Sequence, residues 1–451
     1  MKQFDLQEEF EAVNFNSKRL KERFIKTMEK LKENASEVSI LSAMGSRSEA
    51  KAVYRMLGNE RFSYSEIQRS HKASTLERII NSHEKTILAI QDTTSVNYGT
   101  HKKTKGIGYN SHKTRGLNVH SSIAVTPEGI TLGILHQHCY TRENRKQEGT
   151  KEERKSREIE EKESFRWLET MELSNKDVPE QIKMIHICDR EGDMYELYEK
   201  AISEKKSFLI RVTQNRYSHK NEKIVNEIKK EPFKGSLDVT IPRDSRTNTP
   251  KRNATLSITY KRFKIKVPKR HKKNSEMAMN VIYVTETKND DANQGIEWIL
   301  ATNEAIDSPE DAFTYVGYYV QRWKIERFHY VLKSGCQVEK IQQRDVQQII
   351  PLIFMYSIIS TMILNMTYLA RVQPDLPCSV IFEKEEADIL YCCIHKTKSP
   401  PEKSYSLEQA IRYLGELGGF KSSKSDGAPG LKRIWMGLQK LYFLQQFRAF
   451  L

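Results

Sequence analysis

Over the first 70 residues the apolar positions return every three or four places. Leu20, Phe24, Ile25, Met28 and Leu31 line one face of a helix that Asn16-Ser17 can cap, and Ala50, Val53, Tyr54 and Leu57 line a second helix after Gly45-Ser46. The period changes near residue 85. Residues 86–92 form an apolar run closing on Asp92, and 184–189 form another closing on Asp189; both read as buried strands. Between them, 120–125 and 130–135 predict a hairpin around Pro127-Glu128-Gly129, and the charged run 142–166 predicts an exposed helix with mixed charge pairs. A helix from Met194 and a strand over 207–212 follow.

From about 216 to 296 the pattern is lysine-rich and β-like, with strands over 237–241, 255–260, 263–267 and 281–284. Lys264 and Lys266 alternate with Phe263, Ile265 and Val267, which predicts one buried and one cationic face. No acid occurs between Lys251 and Lys273, as a surface tracking a polyanionic backbone requires, although 269–273 reads equally as an exposed loop. The stretch 349–370 has the length of a membrane span. Pro351, Ser357, Ser360, Thr361, Asn365 and Thr367 within it favour a buried core helix. Pro374, Pro377, Pro400 and Pro401 suggest a domain edge over 372–403. Helices at about 407–417 and 431–449 close the chain, broken by Gly418-Gly419 and Gly427-Ala428-Pro429-Gly430. In the second, Ile434, Trp435, Leu438, Leu441 and Tyr442 form a stripe suited to internal packing or to a partner subunit.

At 451 residues the chain is long enough for two or three domains and a full core. Its net charge of +15 and pI near 9.3 favour a polyanionic partner over a membrane or a small substrate. Lys18, Arg19, Lys21, Arg23, Lys51 and Arg55 make the first helices candidates for phosphate contacts, although ordinary surface charge on a small helical bundle fits them as well. The six cysteines show no metal-type spacing and read as reduced thiols. With no apolar export signal near Met1, a cytoplasmic location is expected, nucleoid-associated when bound to DNA.

Four residues concentrate the chemistry. Tyr319, Arg322, Glu326 and Lys333 are spaced so that, on one continuous helix at about 100° per residue, their side chains fall within roughly 60° of one another. Ile325, Phe328, Val331 and Leu332 occupy the opposite face. Such a stripe is often only a solvated face. It also suits a phosphodiester, with a carboxylate for a metal, cations for phosphates and a phenol to position them. Asp92 and Asp189 supply two further acids at strand positions. Asp189-Arg190-Glu191-Gly192-Asp193 is richer than a cap needs, with Asp193 a candidate N-cap of the next helix.

Asp92-Thr93-Thr94, the 189–193 run and the spacing Tyr-x2-Arg-x3-Glu-x6-Lys at 319–333 resemble the signatures of the DDE transposases of the insertion-sequence-four group, close to the transposase of transposon five. Further segments are similar: Gly45-Ser46 with Tyr54-Arg55-x-Leu57-x-Asn59, Arg115-Gly116-x3-His120-Ser121, Leu135-x-Gln137, Leu417-Gly418-Gly419-Phe420-x2-Ser423-Lys424 and Trp435-x-Gly437. Gln137–Arg142 departs from the family, where tryptophan is expected. The resemblance implies an α+β or α/β fold in three parts. These are a helical DNA-end-binding domain over 1–70, a ribonuclease-H-like core over 71–371 with a β insertion at about 216–296, and a helical dimerisation domain over 372–451. It implies Asp92, Asp189 and Glu326 as catalytic ligands of two Mg2+ ions, Mn2+ being an alternative. Tyr319, Arg322 and Lys333 would contact DNA phosphates, with Arg211 a further candidate. Trp298 would stack on a base extruded from the transposon end, although a core aromatic on a strand fits it too.

The expected function is cut-and-paste DNA transposition by nick, hairpin, resolution and strand transfer. The partners would be double-stranded DNA, as transposon ends and target, and a second copy of the chain, with no membrane. Rival expectations are a nuclease that cuts without joining and a non-catalytic DNA-binding regulator.

Overall fold

The computed structural model describes residues 4–448 except 38, 112, 144–148, 151–152, 154–155, 242–251, 268–275, 288–294 and 423–426. The 269–273 run and Ser423-Lys424 therefore lie outside the described residues, as does much of the charged run 142–166. The chain is mixed α and β and divides into two compact units: residues 1–84, 92–156 and 323–451 form the first, and 85–91 with 157–322 the second.

In the first unit, short helices open the chain: α1 (Leu6–Glu9), α2 (Lys18–Glu33), α3 (Ile40–Met44), α4 (Arg47–Leu57) and α5 (Tyr64–Asn81). Ser17 and Ser46 cap α2 and α4 by accepting from Leu20 N and Glu49 N, as the sequence predicts. Strand β1 (Thr86–Asn97) enters this unit at Asp92 and is followed by β2 (Gly116–Val125) and β3 (Thr131–Tyr140), in the order β3-β2-β1. Gln137, at the start of the 137–142 segment, is a buried polar node: its amide nitrogen donates to Ser121 Oγ (2.9 Å) and Ser357 Oγ (3.0 Å).

The second unit carries β1-β4-β5-β9-β8-β7-β6, with β1, β4 (Lys183–Cys188) and β5 (Ser207–Arg211) parallel. β6 (Gly235–Ile241), β7 (Arg252–Lys266), β8 (Glu276–Glu286) and β9 (Glu297–Thr302) are antiparallel. The two strands expected over 255–260 and 263–267 are one. Lys261-Arg262 breaks the alternation but contains no turn former, and both residues stay in register opposite Val281 and Asn280. Phe263 and Ile265 are buried while Lys264 and Lys266 are exposed, as alternation requires. Helices α6 (Phe165–Asn175), α7 (Tyr195–Ser203) and α8 (Ile224–Ile228) belong here, and Trp167, Tyr198, Phe208 and Phe263 share one apolar core. The described part of the charged run gives only a short 3-10 turn, Ile159–Glu161, before α6. The unit ends with α9 (Pro309–Val320), which Ser308 and Asp311 close with a capping box.

The first unit resumes with α10 (Trp323–Tyr330) and a π-helical turn over Val331–Gly335. Next comes α11 (Val346–Val372), the one helix among the described residues long and apolar enough to cross a membrane; it is 94% buried over its most apolar window. It packs on β3, α2, α5, α13 (Leu407–Leu417) and α14 (Leu431–Arg448). Its Ser357, Ser360 and Thr367 hydroxyls donate to carbonyls of their own helix, so the polar positions do not interrupt burial. Between α11 and α13 lies α12 (Lys384–His395). Helices α13 and α14 approach closely: a Cβ on Gly437 would lie 1.8 Å from Leu414 O, and one on Gly418 1.9 Å from Arg433 O. The stripe Ile434, Trp435, Leu438, Leu441 and Tyr442 is buried within this unit, which corrects its reading as a subunit contact.

Candidate active site

The predicted ladder does not lie on one continuous helix. Helix α9 ends in a tightened turn, with Gln321 N donating to Tyr318 O (3.1 Å) and Arg322 N to Tyr319 O (3.0 Å), before α10 begins at Trp323. The π turn then inserts an extra residue per turn just where Lys333 sits. Tyr319 and Arg322 consequently belong to the second unit, Glu326 and Lys333 to the first. The expected apolar face is as read: Ile325, Phe328, Val331 and Leu332 are all buried.

In the first unit Asp92 is half-buried within β1, not at its end, and its Oδ1 accepts from Thr93 N (2.7 Å). Thr93 Oγ1 lies 2.8 Å from Nδ1 of the buried His120 on β2. Glu326 is half-buried on α10. Lys333 donates to Ser95 O (2.8 Å) and stands 3.4 Å from Glu339, which accepts from Asn97 N (2.9 Å). Lysine and glutamate together tie the segment after Glu326 to the same strand that carries Asp92.

In the second unit the chain ends of β4, β5, β9 and α9 bring a second group together. Asp189, just past β4, accepts from Glu191 N (2.8 Å) and so caps a 3-10 turn over Arg190–Gly192. Arg211, the last residue of β5, donates to Glu297 O (3.0 Å). Tyr319 is buried, its ring 5.1 Å from that of Trp298 in an edge-on contact, with Arg322 Cζ 5.9 Å from the same ring. Burial pushes the Tyr319 phenol up to about 12; Arg322 and Arg211 oppose the shift, Asp189 adds to it, and Arg190 opposes it. Burial likewise lowers the proton affinity of Arg211; the neighbouring Tyr319 hydroxyl opposes that, and Arg190 and Arg322 add to it. The Tyr319 hydroxyl has no well-formed hydrogen bond despite being fully enclosed. A neutral phenol with an unspent donor among three arginines and a carboxylate is suited to an anionic ligand. Arg190 joins this group unanticipated; its adjacency to Asp189 was the available signal.

Two expectations change. Trp298 is 6% exposed and edge-on to Tyr319, the place of a core aromatic, so stacking on an extruded base would require it to move. Asp193 is not the cap of α7, whose N-cap is Met194. Its buried carboxylate accepts from Thr213 N (2.6 Å), Gln214 N (2.7 Å), Tyr198 OH (2.7 Å) and Arg216, so it pins the loop after β5. Among the described residues no group of three or more His, Cys, Asp or Glu is arranged to hold a metal ion. The donor chemistry of Asp92, Asp189 and Glu326, hard carboxylate oxygens with each residue half-buried, suits a hard divalent cation.

Residues 4–62 match the transposase DNA-binding family, and residues 358–448 match the Tn5 transposase dimerisation domain. Over these two segments the chain is similar to the DNA-binding and dimerisation regions of transposases. The second match makes it similar to the Tn5-like transposases in particular. In the first matched region Lys18, Arg19, Lys51 and Arg55 are exposed on α2 and α4, and Arg19, Arg23, Lys26 and Lys30 line one groove with Ser48 and Glu49. Among solved structures, the piggyBac transposase synaptic complex with hairpin DNA is similar at a TM-score of 0.34 and 10% identity, over 88% of this chain and 61% of that one. The chain thus spans about 61% of the length of that relative.

Proposed function

We propose that the protein is a cut-and-paste DNA transposase with a ribonuclease-H-like core. It would bind transposon ends through α2–α4, pair two ends as a dimer, and cleave and join them by phosphoryl transfer. The observation that carries this reading is the combination of the matched terminal domains with the arginine-flanked Asp189–Tyr319 group, whose buried hydroxyl awaits an acceptor. Asp92, Asp189 and Glu326 would hold two Mg2+ ions, or Mn2+, which when bound activate the attacking oxygen and stabilise the leaving one. Arg211, Tyr319 and Arg322 would grip the scissile strand's phosphates, while Lys333 and Glu339 fix the Glu326 segment to β1. Trp298 would reach a flipped base only after leaving its contact with Tyr319.

The test is incubation of the full chain with Mg2+ and a duplex carrying the inverted repeats that flank its gene. Nicks, hairpin ends and joined products are expected. Glu326→Ala and Asp189→Ala should abolish all three and leave end binding intact. Cleavage without any hairpin or joined product favours a nuclease. Cleavage that survives both substitutions removes the proposed catalytic set, and end binding with no cleavage by the wild type favours a regulator.

A further inference from the structure

A second cationic group lies in the first unit, on the side of α10 turned away from Glu326. At about 100° per residue, Lys324 and Arg327 fall roughly 60° apart on the helix, and each is at least about 100° from Glu326. Lys324 meets the C-terminal end of α11. Lys324 Nζ stands 3.3 Å from the centre of the Tyr368 ring, and Arg371 Cζ 5.2 Å from the same centre, so one buried phenol ring is shared by two cations. The charge of Arg327 acts on both Tyr368 and Arg371.

Neither Lys324 nor Arg371 pairs with a carboxylate among the described residues. Arg371 spends Nη2 on Pro429 O (2.9 Å), and the half-buried Lys324 ammonium makes no hydrogen bond there at all. Three like charges around one ring repel one another, and a ring face is a weak substitute for an anion. An ammonium with three unused donors beside two guanidiniums matches a phosphate diester, which offers acceptors to both geometries.

We infer that Lys324, Arg327 and Arg371, organised by Tyr368, form a phosphodiester-binding site for duplex DNA that is separate from the group around Asp189 and Tyr319. The inference rests on the proposed transposase reading. Its place on α10 lets one helix carry the Glu326 carboxylate on one side and hold a different stretch of DNA backbone on the other.

The experiment measures duplex binding by the full chain across a range of salt concentrations, with one fragment bearing the flanking inverted repeats and one unrelated fragment of equal length. Lys324→Gln with Arg371→Gln should reduce the slope of log K against log salt by about 1.8, that is about 0.9 for each lost phosphate contact. Loss on the repeat-bearing fragment alone assigns the site to transposon ends; loss on both assigns it to backbone generally. A slope unchanged on both fragments overturns the inference. Should the double variant fail to fold, Lys324→Gln alone, which removes no hydrogen bond within the chain, must lower the slope by about 0.9. Unaltered slope with normal end cleavage defeats this site and leaves the transposase reading standing. Absent cleavage with an altered slope does the reverse.

Discussion

Glu9 ends α1 inside the matched DNA-binding region, and its carboxylate is 1% exposed. His71 Nδ1 lies 2.5 Å from its Oε1, and Arg78 donates to both oxygens at 2.6 and 3.2 Å. His71 Nε2 accepts from Ile134 N (2.9 Å), which fixes the ring proton on Nδ1 and makes the neutral imidazole a donor to Glu9. Burial alone would raise the Glu9 pKa; Arg78 and His71 overcome it and bring the value from 4.5 to about 2. That difference corresponds to about 3 kcal/mol of native-state stabilisation at neutral pH. Because the native value is the lower one, the contribution is complete above 4.5 and is lost as pH falls from there toward 2. Burial also lowers the pKa of His71 against the pull of Glu9, so the unfolded chain takes up a proton first, and stability already declines below 6.5. Glu9→Ala leaves the buried imidazole of His71 and the half-buried guanidinium of Arg78 without their shared carboxylate and should cost about 3–5 kcal/mol. Urea unfolding of wild type and variant between about pH 2.5 and pH 7 is the assay. Below pH 4.5 wild-type stability should fall more steeply than that of the variant, which has no Glu9 carboxylate to protonate. A variant within about 1 kcal/mol of wild type at pH 7, or parallel pH profiles, refutes the account.

Tyr319→Phe removes a buried hydroxyl that has no well-formed hydrogen bond, so unfolding free energy should stay within about 1 kcal/mol, while affinity for transposon ends falls about tenfold if the hydroxyl meets a phosphate; unchanged affinity in a gel-shift titration rejects that role. Gly437→Ala places a Cβ against Leu414 O and should destabilise the chain by about 1–3 kcal/mol, read by thermal unfolding; an unchanged melting temperature refutes the close approach of α13 and α14. EDTA should stop cleavage of end DNA and leave its binding in place, and added Mg2+ should restore cutting; chelator-resistant cleavage excludes the proposed carboxylate–metal set.

Much of the fold was legible because one side of each segment is apolar. The capping serines 17 and 46, the two acid-bearing strands, the alternation in β7 and the helices after 407 all follow from local pattern. Helix α5 did not show itself, because Ser70, His71 and Thr75 occupy buried positions where a periodicity reading looks for aliphatics. The candidate site was legible as residue identities, not as geometry. Spacing alone put Tyr319 and Lys333 on one face. It could not register the tightened turn at 321–322 or the π turn at 331–335, which depend on what the flanking segments pack against. The exposed Arg190 became part of the group only once β4 and β5 were paired, and the tail stripe, open between internal and external partners, proved internal.

The π turn makes chain length between Glu326 and Lys333 matter more than chemistry. Deleting one residue there would restore ordinary winding and swing the lysine by about 100°, out of reach of the Ser95 carbonyl. Divergent homologues should therefore vary at the exposed positions of this stretch yet keep its residue count and the buried apolar character at Phe328, Val331 and Leu332, and an alignment gap inside it would mark copies that have lost their grip on β1.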